Sequence, residues 1–178
     1  MIPAQGLGAA TATIAREAGV SNGTVFVYVE TKATLVNELY VGLKTETVAA
    51  AVNGVTPDAN GRDQLWHLWD RWLGWATNYP AKRRALAQLD VSEDITADSH
   101  DTVSHTTTAL AELLERCRTG GPMHDAPRGF VLALTSALSD ATIDAMICDP
   151  AAANAYRTVG FEAMWRVLTG PPASPHRT

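Results

Sequence analysis

Three groups of side chains in this sequence are of types that could do chemistry. The first is Ser21, Asn22 and Thr24, hydrogen-bonding side chains with Gly23 among them, followed by the Thr31–Lys32 pair, a hydroxyl beside a cation. The second is a stripe of Trp66, Trp69, Trp72 and Trp75, with His67 as a polar neighbour. Large aromatics at helical spacing build either a core or the wall of a small-molecule pocket. The third is His100, Asp101 and His105, with Asp94 and Asp98 nearby. These two histidines would stand about 140° apart on a helix, unlike the i, i+4 pair that shares a face, so no metal site is expected. No Gly-x-Ser-x-Gly, P-loop or Gly-x-Gly-x-x-Gly string occurs. The expectation is therefore a protein that is not an enzyme and carries no cofactor.

The elements that position the first group can be read from Thr11 to Lys32, TATIAREAGVSNGTVFVYVETK. Thr11 can cap a helix carrying Ile14, Ala15 and Ala18, because its hydroxyl accepts from an orphan amide of the first turn. Gly19 follows the last apolar position, where a left-handed residue satisfies the terminal carbonyls, and Val20 can pack back onto the helix. Ser21 or Asn22 then starts a second short helix. Taken as a helix-turn-helix from Thr11, the pair faces inward through Ile14, Ala18, Val20, Val25 and Tyr28. Ala15 is the small residue at which the two helices touch.

The string IAREAGVSNGTVFVYVETKATLVNELY, Ile14 to Tyr40, resembles the DNA-binding domain of the tetracycline-repressor (TetR) family. The likeness lies in Ile-Ala, Ala-Gly-Val, Gly-Thr-aromatic, a second aromatic, and then Lys and Leu. Val29 departs from the pattern, where such sequences usually carry Phe, and implies a looser junction with the next helix. The resemblance implies a ligand-responsive transcriptional regulator of repressor type, bound as a homodimer to a palindromic double-stranded DNA operator. Its DNA contacts would come from Thr11, Ser21, Asn22, Gly23, Thr24, Phe26, Tyr28, Thr31 and Lys32. The start of the second helix would enter the major groove. Gly23 would let the helix approach the DNA backbone, and Thr31 and Lys32 would hold phosphate through an amide and a charge-assisted contact. Trp66, His67, Trp69 and Trp72 would border a pocket for an apolar or aromatic ligand.

A full helix precedes the motif in TetR-like proteins, whereas here only MIPAQGLGAA stands before it. The chain thus reads as N-terminally shortened, with Ile14, Val25, Leu35 and Leu39 short of a cover and residues up to about Thr31 poorly held. The alternative function is a helical small-ligand-binding dimer that does not bind an operator because the first helix is absent.

Downstream, apolar residues recur at helical spacing over Lys32 to about Val52, then from near Asp58 or Gly61 to Tyr79, and in a short basic helix from Ala81 to Gln88. A helix resuming by about Thr102 runs to Arg118, another spans Pro127 to Asp149, and the last covers Ala151 to Leu168. The expected architecture is all-α: residues 1–45 as the helix-turn-helix domain, 46–170 as a helical ligand-binding and dimerisation domain, and 171–178 as a disordered tail. Ala133, Ala137, Ala141 and Ala145, with Ala155, Tyr156, Val159, Gly160, Ala163 and Val167 of the last helix, form the expected dimer interface.

Composition narrows the class without pointing to DNA. A net charge of −5 lacks the basic face of a protein living on phosphate attraction, so the DNA reading rests on the motif. No run of about 18 uninterrupted apolar residues and no basic-then-apolar leader occur, giving the expectation of a soluble cytoplasmic protein with no membrane partner. Cys117 and Cys148 lack Cys-x-x-Cys spacing and read as buried small hydrophobes.

If Asn22 and Thr24 meet base edges while Lys32 meets phosphate, Asn22→Ala costs about 1 to 3 kcal/mol on the cognate site alone. Lys32→Ala weakens all sequences alike. Fluorescence anisotropy on cognate and random duplexes measures both, and equal losses from Asn22→Ala on the two would remove the assignment.

Overall fold

Helix ends in this chain are set by short polar caps and by proline and glycine. Asn60 accepts from the Asp63 amide at 3.0 Å while its own Nδ2 donates to the Asp63 carboxylate at 2.8 Å. This reciprocal pair starts a helix. Pro80 ends that helix and opens the next, where its missing amide costs nothing. The structure, a computed structural model, describes residues 32–56 and 58–170.

Among the described residues every regular element is helical: α1 Lys32–Val52, α2 Gly61–Asn78, α3 Pro80–Leu89, α4 Ala97–Arg118, α5 Arg128–Cys148, a 3-10 turn Pro150–Ala152, and α6 Ala153–Thr169. The all-α class read from the sequence is the class observed. The helix-turn-helix itself lies outside the described residues, as does the tail from 171.

Two boundaries differ from expectation. α4 begins at Ala97 rather than near Thr102, because Thr96 Oγ1 accepts from the Ser99 amide at 3.3 Å and so caps a first turn that carries no apolar signal. The last helix begins with a separate 3-10 turn, in which Asp149 Oδ1 accepts from the Ala152 amide.

The described residues fall into two compact units. The first contains α1 as far as Lys44 and the segment Ala81–Val103. Its buried apolar residues are Val36, Tyr40, Leu43, Leu86, Leu89, Ile95 and Val103. The second contains Thr45–Pro80 and the chain from Ser104. There α2 packs on both α5 and α6, and α5 packs on α6. Leu65, Leu68, Trp69, Leu73, Trp75 and Ala76 are all buried on α2. They cover about half its circumference at 100° per residue, while Trp66 and Trp72 are half-buried.

The tightest point of the second unit is Gly160 of α6. A Cβ built there would stand 2.3 Å from Thr142 Oγ1 of α5 and 2.9 Å from Trp69 Cζ2 of α2. Only a residue without a side chain lets all three helices meet. Gly121 serves the same end where the turn after α4 passes α6, since its Cβ would stand 2.0 Å from the Leu168 carbonyl oxygen. Arg118 holds that turn, donating to the carbonyl oxygens of Met123, His124 and Ala126.

Gly160→Ala is expected to destabilise the protein by about 1 to 3 kcal/mol, the usual cost of overpacking. Thr142→Ala in the same chain should recover part of that loss, which urea denaturation of the two single variants and the double variant measures as a coupling. Strictly additive effects would show that the two residues do not meet.

Candidate functional site

Lys32 is the first residue of α1 and is exposed, while Val36, Tyr40 and Leu43 of the same helix are buried. Thr11, Ser21, Asn22, Gly23, Thr24, Phe26, Tyr28 and Thr31 lie outside the described residues. Leu35 and Leu39 are half-buried.

Behind Lys32, within the first unit, α1 carries a polar stripe that periodicity alone conceals. Asn37 Nδ2 donates to the Ala33 and Asp94 carbonyl oxygens, both at 2.9 Å. Its Oδ1 accepts from the Thr96 amide at 2.8 Å and from Thr96 Oγ1 at 3.2 Å. One turn further, Tyr40 is 3% exposed, with its hydroxyl 3.4 Å from His100 Nδ1 and its ring edge-on to the imidazole. Burial, the charge of Asp90 and a hydrogen bond to that carboxylate push the Tyr40 hydroxyl up to about 12. Lys44 completes the stripe with an ion pair to Asp90 at 2.7 Å. His100 is thus placed against a tyrosine. No group of three or more His, Cys, Asp or Glu side chains able to hold a metal ion occurs among the described residues.

In the second unit each residue of the aromatic stripe has a partner in its own chain. Trp66 is half-buried and meets Phe161 edge-on at 4.9 Å between ring centroids. Trp69 is buried and donates through Nε1 to the Arg157 carbonyl oxygen at 3.0 Å. Trp72 is half-buried and stacks on Trp75 at 5.5 Å, and Trp75 Nε1 donates to Glu46. His67 Nε2 is 2.8 Å from the Asn53 carbonyl oxygen, just past the end of α1. Three ion pairs fasten neighbouring parts of the unit: Arg157 with Asp70, Arg118 with Glu115, and Arg62 with Glu162. Arg62 also lies over the rings of Phe161 and Trp165.

α5 is long and apolar enough to cross a membrane by length and composition alone, yet it buries only Val131, Ser139, Thr142, Ile143 and Met146. Ala133, Ala137 and Ala141 are exposed and Ala145 is half-buried, with exposed Phe130, Leu132 and Ile147 beside them. On α6, Ala155, Tyr156 and Val159 are exposed, the last at 67%. Ala163 and Val167 are half-buried, and Gly160 faces Thr142 and Trp69 of its own chain. Cys117 is half-buried and Cys148, the last residue of α5, is exposed, which corrects the expectation that both thiols are buried.

Asn37, Tyr40, Lys44, Asp90 and Thr96 were not singled out from the sequence for any functional role, and His100 was weighed only as a metal ligand. The signal that could have found them is the i, i+3, i+7 spacing of Asn37, Tyr40 and Lys44, polar atoms set along an otherwise apolar face.

No family model matches the chain. Nine chains of solved structures match it. One is the crystal structure of "a putative tetR family transcription regulator from SHEWANELLA SP. PV-4". It is similar at a TM-score of 0.70 and 28% sequence identity, over 88% of this chain and 85% of that one.

The raised Tyr40 hydroxyl has a pH consequence. Its folded-state pKa of about 12 lies above the ordinary tyrosine value of 10.0, so the stabilisation is complete below pH 10 and is lost as pH rises towards 12. Urea midpoints measured from pH 8 upward should fall more steeply for the wild type than for Tyr40→Phe, and parallel curves would contradict the assignment.

Proposed function

We infer that this chain, whose fold is of the TetR type, is a DNA-binding transcription regulator acting as a ligand-released repressor. The observation that carries the reading is the likeness to the Shewanella protein over 88% of the chain at a TM-score of 0.70. The motif from Ile14 to Tyr40 agrees with it. In this reading residues 1–45 supply the DNA contacts and residues 46–170 bind ligand and dimerise. Asn22 and Thr24 read base edges, and the exposed Lys32 holds phosphate.

The homodimer is supported by the apolar surface left on α5 and α6. Phe130, Ala133, Ala137 and Ala141 recur every three or four residues, so they form one stripe of α5, and Tyr156 and Val159 stand exposed on α6. Covering that stripe with the same stripe of a second copy removes apolar area from water at about 25 cal/mol per Å². It also gives the two-fold that a palindromic operator requires. The ligand is an apolar or aromatic small molecule bound beside Trp66, His67, Trp69 and Trp72. The half-buried state of Trp66 and Trp72 supports this, since neither residue is fully enclosed. Ligand then acts as a coupling free energy on the spacing of the recognition helices. Half-sites about 34 Å apart tolerate little change in that spacing.

Selection from randomised duplexes, followed by sedimentation, tests the reading. The wild type should enrich a two-fold symmetric sequence as a dimer, and Ala141→Arg should yield a monomer that enriches nothing. A wild-type dimer that enriches no sequence would favour the ligand-binding dimer without operator function.

A further inference from the structure

Within the first unit, one side chain does more to locate α1 than its burial suggests. Asn37 uses both N–H donors and both oxygen lone pairs of its amide, a complete set for that group. Its orientation is forced. The Thr96 amide can only donate and the Ala33 and Asp94 carbonyls can only accept, so a flipped amide would oppose all of them. The bonds join two places far apart in sequence, the first turn of α1 at Ala33 and the Asp94–Thr96 segment. Ala33 adjoins Lys32, and Asn37 itself stands about one and a half turns beyond it.

We propose that Asn37 is a positioning residue for DNA binding, tying the turn that carries Lys32 to the Asp94–Thr96 segment so that this segment sets where Lys32 meets phosphate. The proposal rests on the DNA-binding function inferred above. Asn37 is half-buried, so water can replace most of the bonds when it is lost. Its contribution is therefore to position rather than to stability. Asp at this site would keep the acceptors for Thr96 but turn a carboxylate towards two carbonyl oxygens. Ser would be too short to span the two segments. Tyr40 and Lys44 extend the same attachment along α1 to His100 and Asp90, one and two turns further on.

The test uses the full chain and the duplex that the wild type selects from a randomised pool. Asn37→Ala should weaken operator binding about tenfold, the equivalent of one charge-assisted contact, while the thermal unfolding midpoint barely moves. Lys32→Ala should do the same, and the double variant should be no weaker than either alone, because both remove one contact. A residue of merely structural importance would instead lower the melting temperature and add to the Lys32→Ala loss. Thr96→Val, which deletes the hydroxyl donor to Asn37 and with it the cap that Thr96 Oγ1 gives α4, should lower the melting temperature and give a smaller loss of affinity that is still not additive with Lys32→Ala, and serves if Asn37→Ala does not fold. Unchanged operator affinity in Asn37→Ala and Thr96→Val, or additive losses with Lys32→Ala, overturns the proposal while leaving the regulator reading intact. A wild type that selects no duplex overturns both.

Discussion

Close approach of three helices at one glycine governs the larger unit of this protein. With no side chain at Gly160, α6 can lie against Thr142 of α5 and Trp69 of α2 together. The indole of Trp69 is thereby buried with its N–H satisfied by the Arg157 carbonyl on α6. A methyl group here would push the axes apart, and core packing near crystalline density leaves few alternative arrangements. Phe161, the next residue along α6, takes up the edge of Trp66, and Arg62 closes the outer side of the same aromatic group. Much of the aromatic content thus serves one helix junction.

That junction has a cost elsewhere on the surface. α5 turns a narrow stripe inward through Val131, Ser139, Thr142, Ile143 and Met146, and two of those five residues carry hydroxyls bonded back to carbonyls of their own helix. Phe130, Leu132, Ala133, Ala137, Ala141 and Ile147 of the same helix are left exposed. Such an apolar stripe beside exposed Tyr156 and Val159 is the surface on which the proposed homodimer rests.

The smaller unit is held by different physics. Its apolar residues are fewer, and polar groups do the locating: Asn37 with Thr96, Tyr40 with His100 and Asp90, Lys44 with Asp90. Directional bonds fix register well but contribute little net stability when water can compete for them.

Much of the architecture was legible in the amino-acid order. Pro80, Gly120 and Pro127 mark helix ends by backbone chemistry, and the apolar repeat in α2 marked out the helix whose Leu65, Leu68, Trp69, Leu73, Trp75 and Ala76 are buried. The resemblance from Ile14 to Tyr40 pointed to the family whose fold the described helices share. Other features were not legible, for physical reasons. The start of α4 depends on a threonine cap in a stretch without apolar residues, which periodicity cannot detect. Gly160 looked like one more small residue on an outward stripe, because no one-dimensional pattern shows that two other helices pass within van der Waals reach of it. Asn37 bonds to partners 57 and 59 positions away, and separations of that length are set by the fold. Local order thus determined the helices and their apolar faces, through capping and periodicity. Tertiary packing alone decided which small residue is a crossing point and which polar residue is an anchor, because both depend on groups that only folding brings together.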